Sequence, residues 1–229
     1  MGSKISAPVG EGGKNNRNDV IIIQTLLNKW LDTPLAINGV CNGKADDPTV
    51  IAIRNFQTHF SKNPDGRVDP GGRTLEKLDR KPFLLLPQMC GFGYYSYGKG
   101  SWNERQWGTA ETIGTLEEIS RQFNLSNPLT LVPIGDISFQ FGGEMKPHNS
   151  HREGKNVDIR PLRKDNAMAP VNYKDTTNYD QDKTKALIEL FLSHKNVRSI
   201  LFNDPVINAL KGVSPWQGHD DHFHINMKG

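Results

Sequence analysis

The stretches PHNSHREGKNVDI, residues 147–159, and GHDDHFHINM, residues 218–227, hold five of the chain's seven histidines. In the first, Gly154 and Asn156 are turn formers, and the β-branched Val157 and Ile159 flank Asp158, so a loop should open into a strand there. In the second, His222, His224 and Asn226 alternate with Phe223 and Ile225. That strand pattern puts both histidines on one face, about 7 Å apart. Strands and a loop can therefore deliver imidazoles and a carboxylate to one point. No H-E-x-x-H occurs, which excludes the design in which one helix carries two ligands and a glutamate base.

Imidazole nitrogen and carboxylate oxygen suit zinc, although they also accept neighbouring divalent ions. A catalytic zinc site takes three protein ligands and keeps a fourth position for water. His151, Asp158 and His224 meet that count. A closed structural site would draw on cysteine, but the chain has only Cys41 and Cys90, and it offers more histidines than a closed site needs. His59 and His194, outside the clusters, read as ordinary surface or core residues.

The pattern around these stretches is mixed α and β. WGTAETIGTLEEISRQF and KTKALIELFLSHK have helical spacing, while LTLVPIGDISF, NVDIRPL and VRSILF read as strands. Upstream, residues 8–80 hold three segments of helical spacing separated by turn-rich linkers. Val20, Ile23, Leu27 and Trp30 form one stripe, Val50, Ile53, Phe56 and Phe60 another, and Leu75 and Leu78 complete the core. Asp19, Thr49 and Thr74 lie near the expected helix starts. Residues 81–105 mix prolines, glycines and aromatics and read as a linker. Tyr94, Tyr95, Tyr97 and Trp102 in it either line a cleft or pack the linker down. Two domains of about 50–200 residues fit the length: three helices over 8–80, then a mixed α+β domain over 106–229 with a small antiparallel-rich sheet.

SHREGKNVDI with HDDHFHI, preceded by PIGDISFQFGGEMKPH, resembles the penicillin-insensitive murein endopeptidases and their relatives in the lysostaphin and D-alanyl-D-alanine metallopeptidase superfamily. The resemblance covers most of residues 100–229. It implies zinc held by His151, Asp158 and His224, and hydrolysis of peptide bonds in peptidoglycan, commonly the D-alanyl to diaminopimelate cross-link. D,D-carboxypeptidase or L,D-type action on the same wall peptides is the alternative within that chemistry. A non-catalytic wall-binding protein is the alternative outside it. The first third resembles the peptidoglycan-binding domain found beside wall hydrolases, with Asn38-Gly39 to Phe56-Gln57 and Asp65-Gly66-Arg67-Val68 to Thr74 in its pattern. Asn38 stands where that pattern has aspartate, and Asp69-Pro70-Gly71-Gly72 loosens the second turn. Its expected role is targeting.

On this reading His222 is the candidate general base, because a neutral imidazole with a pKa near ~6.5 takes a proton from water and passes it to a leaving amine. His219 and His148 are expected to line the cleft. Related peptidases place an acidic base three residues before the last histidine ligand, which here is Asp221. On an ideal strand Asp221 faces away from His224, and only a bend reverses that. Asp220 and Asp221 are also suited to accepting the second N–H of a histidine. Arg152 and Arg160 are either clamps for a substrate carboxylate or surface arginines.

Lys plus Arg at 28 against Asp plus Glu at 25 leaves a net charge of +3 and no long basic block, so nucleic-acid binding is not indicated. No apolar run approaches the ~20 residues of a membrane span, and the start MGSKISAPVGEGG lacks a signal-peptide core. The expectation is synthesis in the cytoplasm and action in the periplasm or wall. A phage endolysin released through holin lesions and an antibacterial effector delivered by type VI-like secretion, with an immunity partner, both fit. Met1-Gly2-Ser3 also reads as an expression scar that replaced a natural signal. Cys41 and Cys90 are expected to be free thiols, although an oxidising periplasm would permit their pairing.

Overall fold

The structure, a computed structural model, describes residues 3–87, 93–97 and 104–228. Met1, Gly2, Cys90 and Trp102 lie outside the described residues. The chain divides into two compact units, Met1–Pro82 and Phe83–Gly229.

The first unit runs β1 (Val9–Gly10), α1 (Arg17–Leu27), α2 (Pro48–Thr58), β2 (Arg67–Val68) and α3 (Arg73–Leu78), with β1 and β2 antiparallel. Val20, Ile23, Leu27, Val50, Ile53, Phe56, Leu75 and Leu78 are buried in its core. Trp30 and Phe60 flank them half-buried, each about 5 Å from the Phe56 ring, at 5.3 and 5.4 Å. Two glutamines pin the two loops in the same way. Gln24 Oε1 accepts from the N–H of Asn38 and Gly39, and Gln57 Oε1 accepts from the N–H of Gly66. Gly39 and Gly66 turn there at φ +69° and +70°, a region where a Cβ is penalised. Asn38 serves as Asp65 does, its Oδ1 accepting from the N–H two residues on. Helix starts differ slightly from expectation. Asn16 precedes α1, so Asp19 sits inside the first turn; Asp47 caps α2 by accepting from the Thr49 N–H. Cys41 is a half-buried free thiol, its pKa pushed up by burial.

The second unit is mixed α+β. It comprises β3 (Leu84–Leu85), β4 (Tyr94–Ser96), β5 (Trp107–Gly108), α4 (Ala110–Ser126), β6 (Val132–Ile134), β7 (Asn156–Ile159), α5 (Gln181–Ser193), β8 (Val197–Leu201), β9 (Val213–Ser214) and β10 (Phe223–Met227). Six of these strands form one sheet in the order β4-β6-β7-β10-β8-β9. Its centre is antiparallel, and the two edge pairs, β4 with β6 and β8 with β9, are parallel. The described part of the segment read as a linker is therefore structural: β4 is an edge of the main sheet, and β3 pairs with β5. Tyr94 is buried, its hydroxyl donating to the Pro87 carbonyl at 2.6 Å, so it packs and does not line a cleft. LTLVPIGDISF forms a strand only over Val132–Ile134, where Pro133 lacks a donor and Gly135 follows.

Sequence alternation sets the two faces of the central pair. Val157 and Ile159 on β7, with Phe223 and Ile225 on β10, are fully buried in the core with Leu187, Ile188 and Phe191 of α5. At about 1.5–3 kcal/mol for each such side chain, that face fixes the register. With the register fixed, Asp158 and His224 must lie directly opposite each other.

Candidate functional site

Opposed on neighbouring strands, Asp158 and His224 meet: His224 Nδ1 is 2.8 Å from Asp158 Oδ1. The β6–β7 loop adds His151, whose Nε2 is 3.2 Å from the same oxygen and 3.1 Å from His224 Nδ1. His151 is fully buried, and the other two are nearly so. The second nitrogen of His151, Nδ1, lies 3.0 Å from the Ile137 carbonyl. A carbonyl only accepts, so Nδ1 carries the hydrogen and neutral His151 turns the Nε2 lone pair toward Asp158. Two acceptors then face each other across 3.2 Å, a donor set that suits a cation. The carboxamide of Asn156 lies 3.1 Å from His224 Nε2 and 3.0 Å from Asn226 Oδ1, bracing that ring from behind.

Burial alone would raise the pKa of Asp158, but the imidazoles of His151 and His224 beside it outweigh that and hold the carboxyl far below the usual range. Burial lowers the pKa of His224 against the pull of Asp158, favouring the neutral ring a metal requires.

Of the two residues expected to line the cleft, His148 does so, whereas His219 lies against His222 and is not among the residues lining the cavity. His148 Nδ1 is 3.5 Å from Asp158 Oδ2, and His148, His151 and Asp158 place ligand atoms within 4.8 Å of one another. That alternative triad is looser than the one with His224, and His148 already has a partner: its Nε2 is 3.0 Å from Asp136 Oδ2. Asp136 in turn takes Arg105 at 3.2 Å. His219 packs against His222 with ring centroids 4.6 Å apart and planes tilted by 38°, and burial lowers its pKa, with the neighbouring His222 ring adding to that.

A cavity of about 240 Å³ opens on this cluster, lined by Asp136, His148, Asp158 and His222 among others, and by Asp221 as well. Of the two facings open to Asp221, the one that needs a bend before the strand is present. β10 begins only at Phe223, and bends at residues 220–221 release Asp221 from strand alternation. Asp221 Oδ1 lies 2.9 Å from His222 Nδ1 and accepts its hydrogen, leaving Nε2 free. Asp220 instead holds Lys174 and Asn203. Of the two arginines, Arg160 lines the cavity, whereas Arg152 is exposed and donates to the Asn149 carbonyl.

Sequence reading missed Asp136 and Arg105. The one signal was a carboxylate placed inside the apolar run LVPIGDISF.

Residues 96–211 match the family described as penicillin-insensitive murein endopeptidase, and residues 16–78 match a peptidoglycan binding domain. No curated protein matches the chain.

Proposed function

The chain belongs to the penicillin-insensitive murein endopeptidase family, and from that premise we propose a zinc-dependent D,D-endopeptidase that cuts the D-alanyl to diaminopimelate cross-link. Peptidoglycan peptidase action and a peptidoglycan-binding unit follow from the family matches. The observation that supports metal-dependent hydrolysis is the convergence of His151 Nε2, Asp158 Oδ1 and His224 Nδ1 within 3.2 Å, beside the His222–Asp221 pair.

His151, Asp158 and His224 would hold the ion, which supplies Lewis-acid polarisation of the scissile carbonyl and activation of the attacking water. The chain's own residues do the rest. Asp221 keeps the hydrogen of His222 on Nδ1, so Nε2 accepts the proton of the attacking water and later delivers it to the leaving amine. Asp136 and Arg105 hold His148 at the wall of the cavity, and His219 supports the His222 ring by packing against it. The alternative cuts on the same substrate, D,D-carboxypeptidase or L,D-peptidase, would use the same groups and differ only in what the cavity admits.

The wall lies outside the cytoplasmic membrane, so the site of action is the periplasm or cell wall. Release through holin lesions or type VI-like secretion would bring the protein there. No helix among the described residues is long and apolar enough to cross a membrane.

Zinc titration of the full chain tests the site. One equivalent is expected to bind, with loss of high-affinity binding in His151→Ala, Asp158→Asn and His224→Ala but not in His148→Ala. Loss in His148→Ala with retention in His224→Ala would move the site to the other triad.

A further inference from the structure

We infer that Arg160 is the carboxylate-binding subsite of this cavity, so that the preferred substrate carries a free α-carboxylate on the amine side of the scissile bond. The inference rests on the peptidase reading above. Arg160 stands one residue past the end of β7, two after Asp158, and lines the same cavity. Its guanidinium carbon sits 3.7 Å from the centre of the Tyr97 ring, a stack that fixes the plane of the fork before any ligand arrives. Burial raises the pKa of Tyr95, and the positive charge of Arg160 nearby opposes that rise. Tyr97 is held in turn, because a Cβ at Gly135 would stand 2.6 Å from its ring, so only glycine leaves room for it.

Among the described residues the guanidinium lacks a counter-anion. The neighbouring carboxylates are engaged elsewhere: Asp136 with Arg105 and His148, Asp158 with His151 and His224, and Asp221 with His222. Among the described residues no acidic side chain forms an ion pair with Arg160. A half-buried, pre-oriented guanidinium without an anion, facing a small cavity, is built to take a carboxylate through two parallel hydrogen bonds. In wall peptides the residue whose nitrogen is released carries such a group, whether it is the D-centre of diaminopimelate in a cross-link or a terminal D-alanine. Amidation of that carboxyl removes the charge and one acceptor.

The test uses two synthetic cross-linked muropeptide dimers that differ only in that group, free carboxylate against carboxamide. Calorimetric binding to the chelator-treated full chain reads the subsite without turnover. The free acid is expected to bind about 10–100-fold tighter than the amide, the usual range for a charge-assisted hydrogen bond. Arg160→Gln should abolish that preference while binding the amide as the native chain does, and Arg160→Lys should keep part of it. Equal binding of acid and amide by the native chain would overturn the inference, as would an equal loss for both probes in Arg160→Gln and Arg160→Lys. Hydrolysis by the zinc-loaded chain is scored separately. A native chain that discriminates in binding but cleaves neither probe would contradict the peptidase reading and leave the subsite standing.

Discussion

His222 and Asp221 act as one unit, because the 2.9 Å contact between them decides which ring nitrogen is free. His222→Ala is expected to lower turnover about 10²–10⁴-fold, the usual contribution of a positioned base, with zinc stoichiometry unchanged. Asp221→Asn, which can present an amide donor to Nδ1, should lower kcat more than it raises KM. Steady-state kinetics with metal analysis checks both; zinc lost together with activity in His222→Ala would make that residue a ligand and not the base. The metal-binding residues were legible because their chemistry is rare and their spacing is local. The environment of Arg160 was not, because Tyr97 and Gly135 reach it through parallel pairing of β4 with β6, and nothing in the sequence announces that pairing. Asp221 was legible only as an alternative, because its facing turns on a bend before the strand, and β10 begins only at Phe223.

At the scale of elements, β10 carries both core and site on alternate residues. Phe223 is fully buried, with its ring 6.0 Å from Phe202 and 6.4 Å from Phe191. Phe223→Ala is expected to destabilise the second unit by about 3–5 kcal/mol and to weaken zinc binding by loosening the strand that carries His224. Urea denaturation with and without zinc measures both, and a normal zinc affinity at normal stability would uncouple the strand from the site. In the first unit, α1 depends on Asp19. Burial alone would raise the pKa of that carboxyl, but hydrogen bonds from Ser6, Asn16 and Ala7 outweigh it and lower it. A depressed folded-state value means that the stabilisation is present above the unfolded pKa of about 3.9 and is lost as pH falls through the lower folded value. Asp19→Asn should destabilise α1 by about 1–3 kcal/mol at neutral pH, with the gap to the native chain closing in the acid range. Hydrogen exchange of the α1 amides at pH 7 and pH 3 reads this. The helices themselves were legible from apolar spacing, whereas β3, β4 and β5, of two or three residues each, are too short to show a period.

For the whole molecule, the division at Pro82 and Phe83 separates two cores, and the family matches fall on either side of it. A chain cut to residues 83–229 is expected to cleave soluble muropeptide dimers at close to the full-length rate while losing most of its retention on sacculi. Co-sedimentation and dimer cleavage assays compare the two, and equal retention would remove targeting from the first unit.

The most direct test of a metal-dependent cross-link peptidase is mass spectrometry of muropeptides from purified Gram-negative sacculi, treated with the chain plus zinc, with chelator, and with His151→Ala. Conversion of cross-linked dimers to monomers with zinc alone is the expected result. Dimers left intact while only terminal D-alanine disappears, or no change under any condition, would contradict it.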